Sequence, residues 1–159
     1  MSNADKPTSQ LLKEAAIHTI LVIGVSGSGK TTLGKQLAER YSAEFIDADD
    51  FHSPQAVAKM REGIALSDAD RIPWLHRVGS AIRKTEGPVV CACSALTRRY
   101  RDLLRTYDPD LRLVFLNPAK PILQKRMEAR EHFMPASLLN SQLSLLEPPG
   151  DGELLFPYL

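Results

Sequence analysis

Cysteine, histidine, net charge and long apolar runs are all scarce in this 159-residue chain, and each scarcity closes off a class of function. The two cysteines, Cys91 and Cys93, are too few for a disulfide-stapled secreted scaffold, and a Cys-x-Cys metal site would need further ligands from a chain with four histidines. Alternation within Val89-Val90-Cys91-Ala92-Cys93 points both thiols to one face of a strand, as buried reduced groups. No apolar run approaches the roughly 20 residues that cross a bilayer, and Met1 to Leu12 lacks the apolar centre of a signal sequence. Charge of one sign is missing as well: 20 Lys and Arg against 19 Asp and Glu leave a formal +1, which argues against nucleic acid or a membrane surface as the main partner. There is no internal repeat and no low-complexity segment. The remaining composition, 43% apolar and 25% charged, is that of an ordinary globular domain. The expected organisation is a disordered arm or expression remnant over 1–17, then one domain over 18–159, in a cytoplasmic enzyme.

What the chain has is Gly24-Val25-Ser26-Gly27-Ser28-Gly29-Lys30-Thr31, a complete G-x-x-x-x-G-K-[ST] loop directly after the apolar run Ile20-Leu21-Val22-Ile23. Its glycines let backbone N–H groups turn inward with no Cβ in the way, and the following helix aims its positive end at the same point, which makes a cradle for a β-phosphate. Lys30 is placed to reach the β- and γ-phosphates, Thr31 to offer its hydroxyl to Mg²⁺, and Thr32 extends the nucleotide-contacting run. Leu33, Leu37 and Ala38 recur at helical spacing behind the loop, the setting this motif requires. A nucleoside triphosphate is the expected ligand.

The rest of the chain alternates strand-like and helix-like segments. Ala43 to Asp47 reads as a second strand and Pro54 to Arg61 as a helix opened by Ser53. Ser67-x-x-Asp70 is a capping box with Asp for Glu, ahead of a helix from about Ala69 to Thr85 that stops at Gly87-Pro88. Pro88 to Cys93 is a third strand, nearly all apolar as in a sheet covered on both faces. A helix over Thr97–Leu104, a strand over Leu111–Leu116, a helix from Pro118 to about Arg130, a break at His132 to Pro135 and a helix over Ala136–Glu147 complete the series. Such βαβ succession predicts a parallel sheet with right-handed crossovers and a ligand site at the carboxyl ends of its strands.

Those ends carry charge. Asp47 and Asp49, two apart at the close of the second strand, suit phosphoryl transfer: Asp47 as a water-mediated Mg²⁺ ligand, Asp49 to accept or orient the proton of an attacking hydroxyl. A solvated acidic turn is the bland alternative, and Asp50 fits that one better. The cations of Thr97-Arg98-Arg99-Tyr100-Arg101 open a helix, where they oppose the macrodipole unless an anion visits; Arg99 reads as solvated, while Arg98 and Arg101 fit either an anion site or a basic face. Arg126 and Arg130 share one helical face before the break, placed either to close over a nucleotide or to lace an ordinary surface helix.

With these residues in view the chain resembles the P-loop gluconokinases, relatives of shikimate kinase and the nucleoside monophosphate kinases. The resemblance rests on the glycine loop, Asp47-Ala48-Asp49-Asp50-Phe51-His52, Lys59-Met60, Asp68-Ala69-Asp70-Arg71-Ile72-Pro73-Trp74-Leu75, Cys93-Ser94-Ala95-Leu96, Tyr100-Arg101 and His132-Phe133-Met134, and covers about Thr19 to Pro148. It implies a three-layer α/β/α fold with a mostly parallel sheet and a lid, like that of the nucleoside monophosphate kinases. It also implies ATP and Mg²⁺ as cofactors, D-gluconate as substrate, phosphorylation at the 6-hydroxyl and, commonly, a homodimer. A related hydroxy-acid kinase and a catalytically silent ATP-binding module are the alternatives. Arg71 is the first choice for the gluconate carboxylate, with Arg101 and His52 second; Trp74 reads as a core anchor before a sugar platform. Family members run on past the Leu-Glu-x-Pro segment into a last strand and helix, and this chain is expected to lack both: Leu154 to Phe156 could begin such a strand, but Pro157 would interrupt it.

Overall fold

Four parallel strands form the sheet: β1 (Thr19–Ile23), β2 (Glu44–Asp47), β3 (Val89–Ala92) and β4 (Arg112–Phe115), in the order β2-β3-β1-β4. This is a computed structural model, and it describes residues 16–129 and 136–157. β1 is central, with Ile20 opposite Val90 on one side and opposite Arg112 on the other, and every residue of β1 and β3 is buried. Their unbroken apolar runs are what a sheet covered on both faces demands. Period two then sorts the side chains. Leu21 and Ile23 join Trp74, Val78, Cys91 and Leu104 on one face, while Ile20 and Val22 join Leu37, Val90 and Val114 on the other. Cys91 and Cys93 share the first cluster as free buried thiols, and burial pushes both up, Cys93 to about 12, so neither is a nucleophile at neutral pH.

Six helices accompany this sheet among the described residues: α1 (Lys30–Arg40), α2 (Pro54–Arg61), α3 (Asp68–Lys84), α4 (Arg98–Arg105), α5 (Lys120–Ala129) and α6 (Ala136–Leu145). Their starts follow local chemistry. Ser53 Oγ accepts the Ala56 N–H and Thr97 Oγ1 the Tyr100 N–H, each satisfying a donor that the first helical turn leaves over. Asp70 accepts the Ser67 N–H at 3.0 Å in capping-box fashion and also pairs with Lys59; these bonds hold its carboxyl down at about 2 and tie α2 to the start of α3. α5 and α6 meet the rest of the fold through Leu123 and Leu139, which pack on Val25 and Leu96.

The carboxyl ends of β1, β2 and β3 open on one rim, and the chain leaves β1 directly into the glycine loop. At the other edge of the sheet lies a feature the sequence reading underestimated. Leu113 donates its N–H to Leu154 O and accepts from Phe156 N, both at 2.8 Å, so 154–156 joins β4 as a parallel bridge despite Pro157. A proline that follows the bridged residues removes no donor from them. Phe156 then sets its ring edge-on to Tyr41 at 5.5 Å, beside the cluster under α1.

Candidate active site

The phosphate cradle is built from backbone. Gly24 has φ +155°, and a Cβ there would stand 2.6 Å from Ser28 Oγ and 2.7 Å from Leu116 O, so only glycine lets the loop fold this tightly against β4. Gly29, at φ +95°, turns the chain into α1 and leaves the first N–H groups of that helix directed at the loop. Lys30 Nζ donates to Val25 O at 2.9 Å, which lays the ammonium across the mouth of the cradle. Thr31, Thr32, Asp47 and Asp49 line the same cleft.

The acidic pair meets there by a route other than strand alternation. β2 ends at Asp47 and a 3₁₀ turn over Ala48–Phe51 follows, with Asp47 Oδ1 accepting the Asp49 N–H at 3.0 Å. The two carboxyls are driven apart electrically. Asp47 is raised by burial and by the neighbouring Asp49 and Asp50 carboxylates. Asp49 is pushed up by desolvation against the cleft walls, but the neighbouring His52 imidazole and the Lys30 charge outweigh this and hold it below its ordinary value. Its side chain is 72% accessible, because it looks into an open cleft.

Beside the cradle lies a second pocket with about 590 Å³ of open space; Ser26, Lys30 and Asp49 serve as a wall common to both. His52 lines it with a side chain only 4% accessible. The imidazole stacks on Trp74 (4.2 Å between centroids, 16° between planes), sets Nε2 3.6 Å from Asp49 Oδ1, and leaves Nδ1 buried without a partner among the described residues. Trp74 is itself pinned: its Nε1 donates to Ala48 O at 2.7 Å, fastening α3 to the 3₁₀ turn. Trp74 is thus both core anchor and pocket wall. Arg71, half-buried, enters the pocket from α3 with its guanidinium 5.8 Å from the Tyr100 ring centre, and Tyr100 donates its hydroxyl to Asp68.

Arg101 does not reach this pocket, which corrects its place as an alternative carboxylate ligand. It is 0% exposed; Nε and Nη2 bind the Glu153 carboxylate at 2.7 and 3.1 Å, and Nη1 donates to Ala95 O and Leu96 O. Glu153 also receives Arg105 and the Gly150 N–H. Burial pushes its carboxyl up, but these bonds outweigh burial and hold it at about 2. The cation at this helix start does meet an anion, and the anion is the protein's own. Arg99 pairs with Asp68 in the open, and Arg98 lies against the backbone of Gly150 and Gly152. Arg126, from α5, donates to Gly27 O at 2.9 Å. Arg130 and His132-Phe133-Met134 lie outside the described residues.

Two contributors went unread in the sequence. Gln142 Oε1 accepts the Ser26 N–H at 2.7 Å and lines the second pocket. Glu153 completes the Arg101 cluster. A lone Gln among the leucines and serines of a helix and a lone Glu near a turn carry no local pattern, so no signal short of the fold itself would have found them.

A parallel sheet whose middle strand runs into a glycine cradle, beside an acidic pair and an acceptor pocket, defines a P-loop phosphotransferase. A family model described as an AAA domain matches residues 19–149. A gluconokinase of Arabidopsis thaliana is 46% identical over 80% of this chain and 77% of its own, and the thermosensitive gluconokinase of Escherichia coli (strain K12) is 43% identical over 86% and 75%. The crystal structure of a gluconokinase from Sinorhizobium meliloti 1021 superposes with TM-score 0.79 at 46% identity, covering 87% of this chain and 80% of that one. Shikimate kinase from Acinetobacter baumannii, at 18% identity and TM-score 0.57 over 86% and 78%, shares the fold alone. The chain belongs to the gluconokinase family of P-loop kinases.

Proposed function

We propose that this protein transfers the γ-phosphoryl group of ATP to the 6-hydroxyl of D-gluconate, giving 6-phospho-D-gluconate and ADP. The observation that carries the reading is the wall common to both pockets, Ser26, Lys30 and Asp49, which puts a phosphate cradle and a polar acceptor pocket in direct communication. The alcohol oxygen attacks γ-phosphorus, the bond from γ-phosphorus to the bridging oxygen breaks, and ADP leaves with that electron pair. Asp49, kept ionised at neutral pH, accepts the hydroxyl's hydrogen bond and takes the proton as the new bond forms. Because the transition state is loose, most of the acceleration comes from alignment and charge stabilisation, which Lys30 and Arg126 supply, with Arg130 as a further proposed contributor. Arg71 presents a fork for the sugar-acid carboxylate, and the buried Nδ1 of His52 suits a hydroxyl of the carbon chain.

The donors beside the cradle fit Mg²⁺. The Thr31 hydroxyl and the Asp47 carboxylate are hard oxygen groups on the phosphate cleft, and this ion favours one or two carboxylates together with phosphates and water. Bound there it would neutralise charge on the transferring phosphates. A cytoplasmic homodimer remains the expectation drawn from the resemblance, and light scattering would read its mass. A coupled assay of ADP release with gluconate, shikimate, nucleoside monophosphates and buffer tests the main reading. Release that depends on gluconate is expected, and release indifferent to it refutes the substrate.

A further inference from the structure

Three side-chain or main-chain groups from the far end of the chain converge on the glycine loop and its neighbour. Gln142 Oε1 holds the Ser26 N–H at 2.7 Å, Arg126 Nη1 holds Gly27 O at 2.9 Å, and the Glu147 N–H holds Leu96 O at 2.7 Å. Leu123 and Leu139 pack on Val25 and Leu96 under the same contacts. The helices on either side of 130–135 are therefore moored to the loop by polar bonds on top of an apolar seat. Ser26 is the residue where this matters most, since it faces the phosphate cleft on one side and the acceptor pocket on the other. A backbone N–H at that point is a natural partner for phosphate oxygen, yet it is satisfied by a neutral amide from α6, 116 positions away along the chain.

We propose that Gln142 is a positioning residue for phosphoryl transfer, fixing the Ser26 peptide so that the edge of the cradle facing the acceptor alcohol is set before both substrates are in place. This rests on the kinase reading above. The neutrality of the amide is part of the argument. A carboxylate would make the same hydrogen bond, but it would bring a negative charge to the wall against which the γ-phosphate lies, and like charges at that range repel strongly in a cleft. An apolar side chain would leave the Ser26 N–H free to rotate, and a loop edge misplaced by about 1 Å costs on the order of 100-fold in rate.

Two variants of the full-length protein test this. Gln142→Met keeps length and apolar packing and removes the acceptor; kcat is expected to fall about 10- to 100-fold, with KM for gluconate and for ATP each within about 3-fold of wild type and the melting temperature nearly kept. The backbone amide resonance of Ser26 should move as its hydrogen bond is lost. Wild-type kcat in a folded Gln142→Met, or a drop matched by a loss of folded protein, overturns the proposal. Gln142→Glu decides the matter independently, by calorimetry without gluconate. ADP should bind as to wild type and ATP about 10-fold more weakly, whereas equal losses for both nucleotides, or none, overturn it. Since that measurement needs no acceptor, it stands even if gluconate proves the wrong substrate, and a wild-type enzyme inactive on gluconate would indict the substrate rather than Gln142.

Discussion

The phosphate cradle and the acceptor pocket share a wall, yet they are made in opposite ways. The cradle is backbone from one run of chain, 24–31, shaped by glycines with left-handed or extended torsions and by the start of α1. The pocket is side chains drawn from the 3₁₀ turn, α3, the loop after β3 and α6, and several are fixed by a partner on a different element: His52 by the Trp74 ring, Trp74 by Ala48 O, Arg71 by Tyr100. A backbone site depends on a few torsions and tolerates change in its surroundings, whereas a side-chain site inherits every error in the packing behind it. Function divides along the same line, with the cradle handling what all triphosphates have in common and the pocket choosing the acceptor.

Lys30→Ala should break the cradle most severely. The lysine reaches across the loop to Val25 O at the cleft and is not one of the buried core residues, so its removal should lower turnover by about 10²–10³-fold while circular dichroism and melting temperature stay as in wild type. Loss of structure in that variant would mean that the loop depends on the ammonium to hold its shape.

The same division explains what could be read from residues alone. The order of strands and helices, the cradle and the acidic pair were legible because each is a local pattern: a period, a cap, a glycine spacing. Asp47 and Asp49 were rightly placed together although the expected cause, strand alternation, was not the one at work; a 3₁₀ turn brings them to one cleft. Arg71 and Arg101 show where local reading stops. Both stand near the amino-terminal turn of a helix, both carry a fork, and nothing in their neighbours separates them. What separates them is Glu153, some fifty residues further along, which takes the guanidinium of Arg101 out of solvent. Gln142 was invisible for the same reason, since its meaning lies in an N–H 116 positions away.

The contrast between the two arginines can be sharpened by pairing two variants. Glu153→Ala leaves Arg101 as a buried charge without its partner and should cost about 3–5 kcal/mol, lowering the melting temperature by on the order of 10 °C in thermal denaturation. Arg71→Ala should leave melting almost untouched and raise KM for gluconate about 10- to 100-fold, with KM for ATP unchanged, as expected when one charge-assisted bond to a carboxylate is lost. If the two phenotypes were exchanged, the assignment of one arginine to the pocket and the other to the scaffold would be reversed.

The smallest effect concerns acid. Glu153 has its ordinary carboxyl value of 4.5 when the chain is unfolded and about 2 in the fold, so the unfolded chain takes up a proton first as the pH drops. The stabilisation from this group is therefore complete above about 4.5 and is lost as the pH falls through that window toward 2. Arg101 keeps its charge throughout, so a protonated Glu153 leaves the guanidinium buried beside a neutral group. Glu153→Gln imitates that state at every pH. Its melting temperature should lie below that of wild type near neutrality, and the gap should close as the buffer is taken down through the same window. Asp70, also held at about 2, bends the acid limb of both proteins alike, so it drops out of the difference between them. A gap that stays constant down the acid limb would show that Glu153 gains its stabilisation from packing and neutral hydrogen bonds rather than from the charge it shares with Arg101.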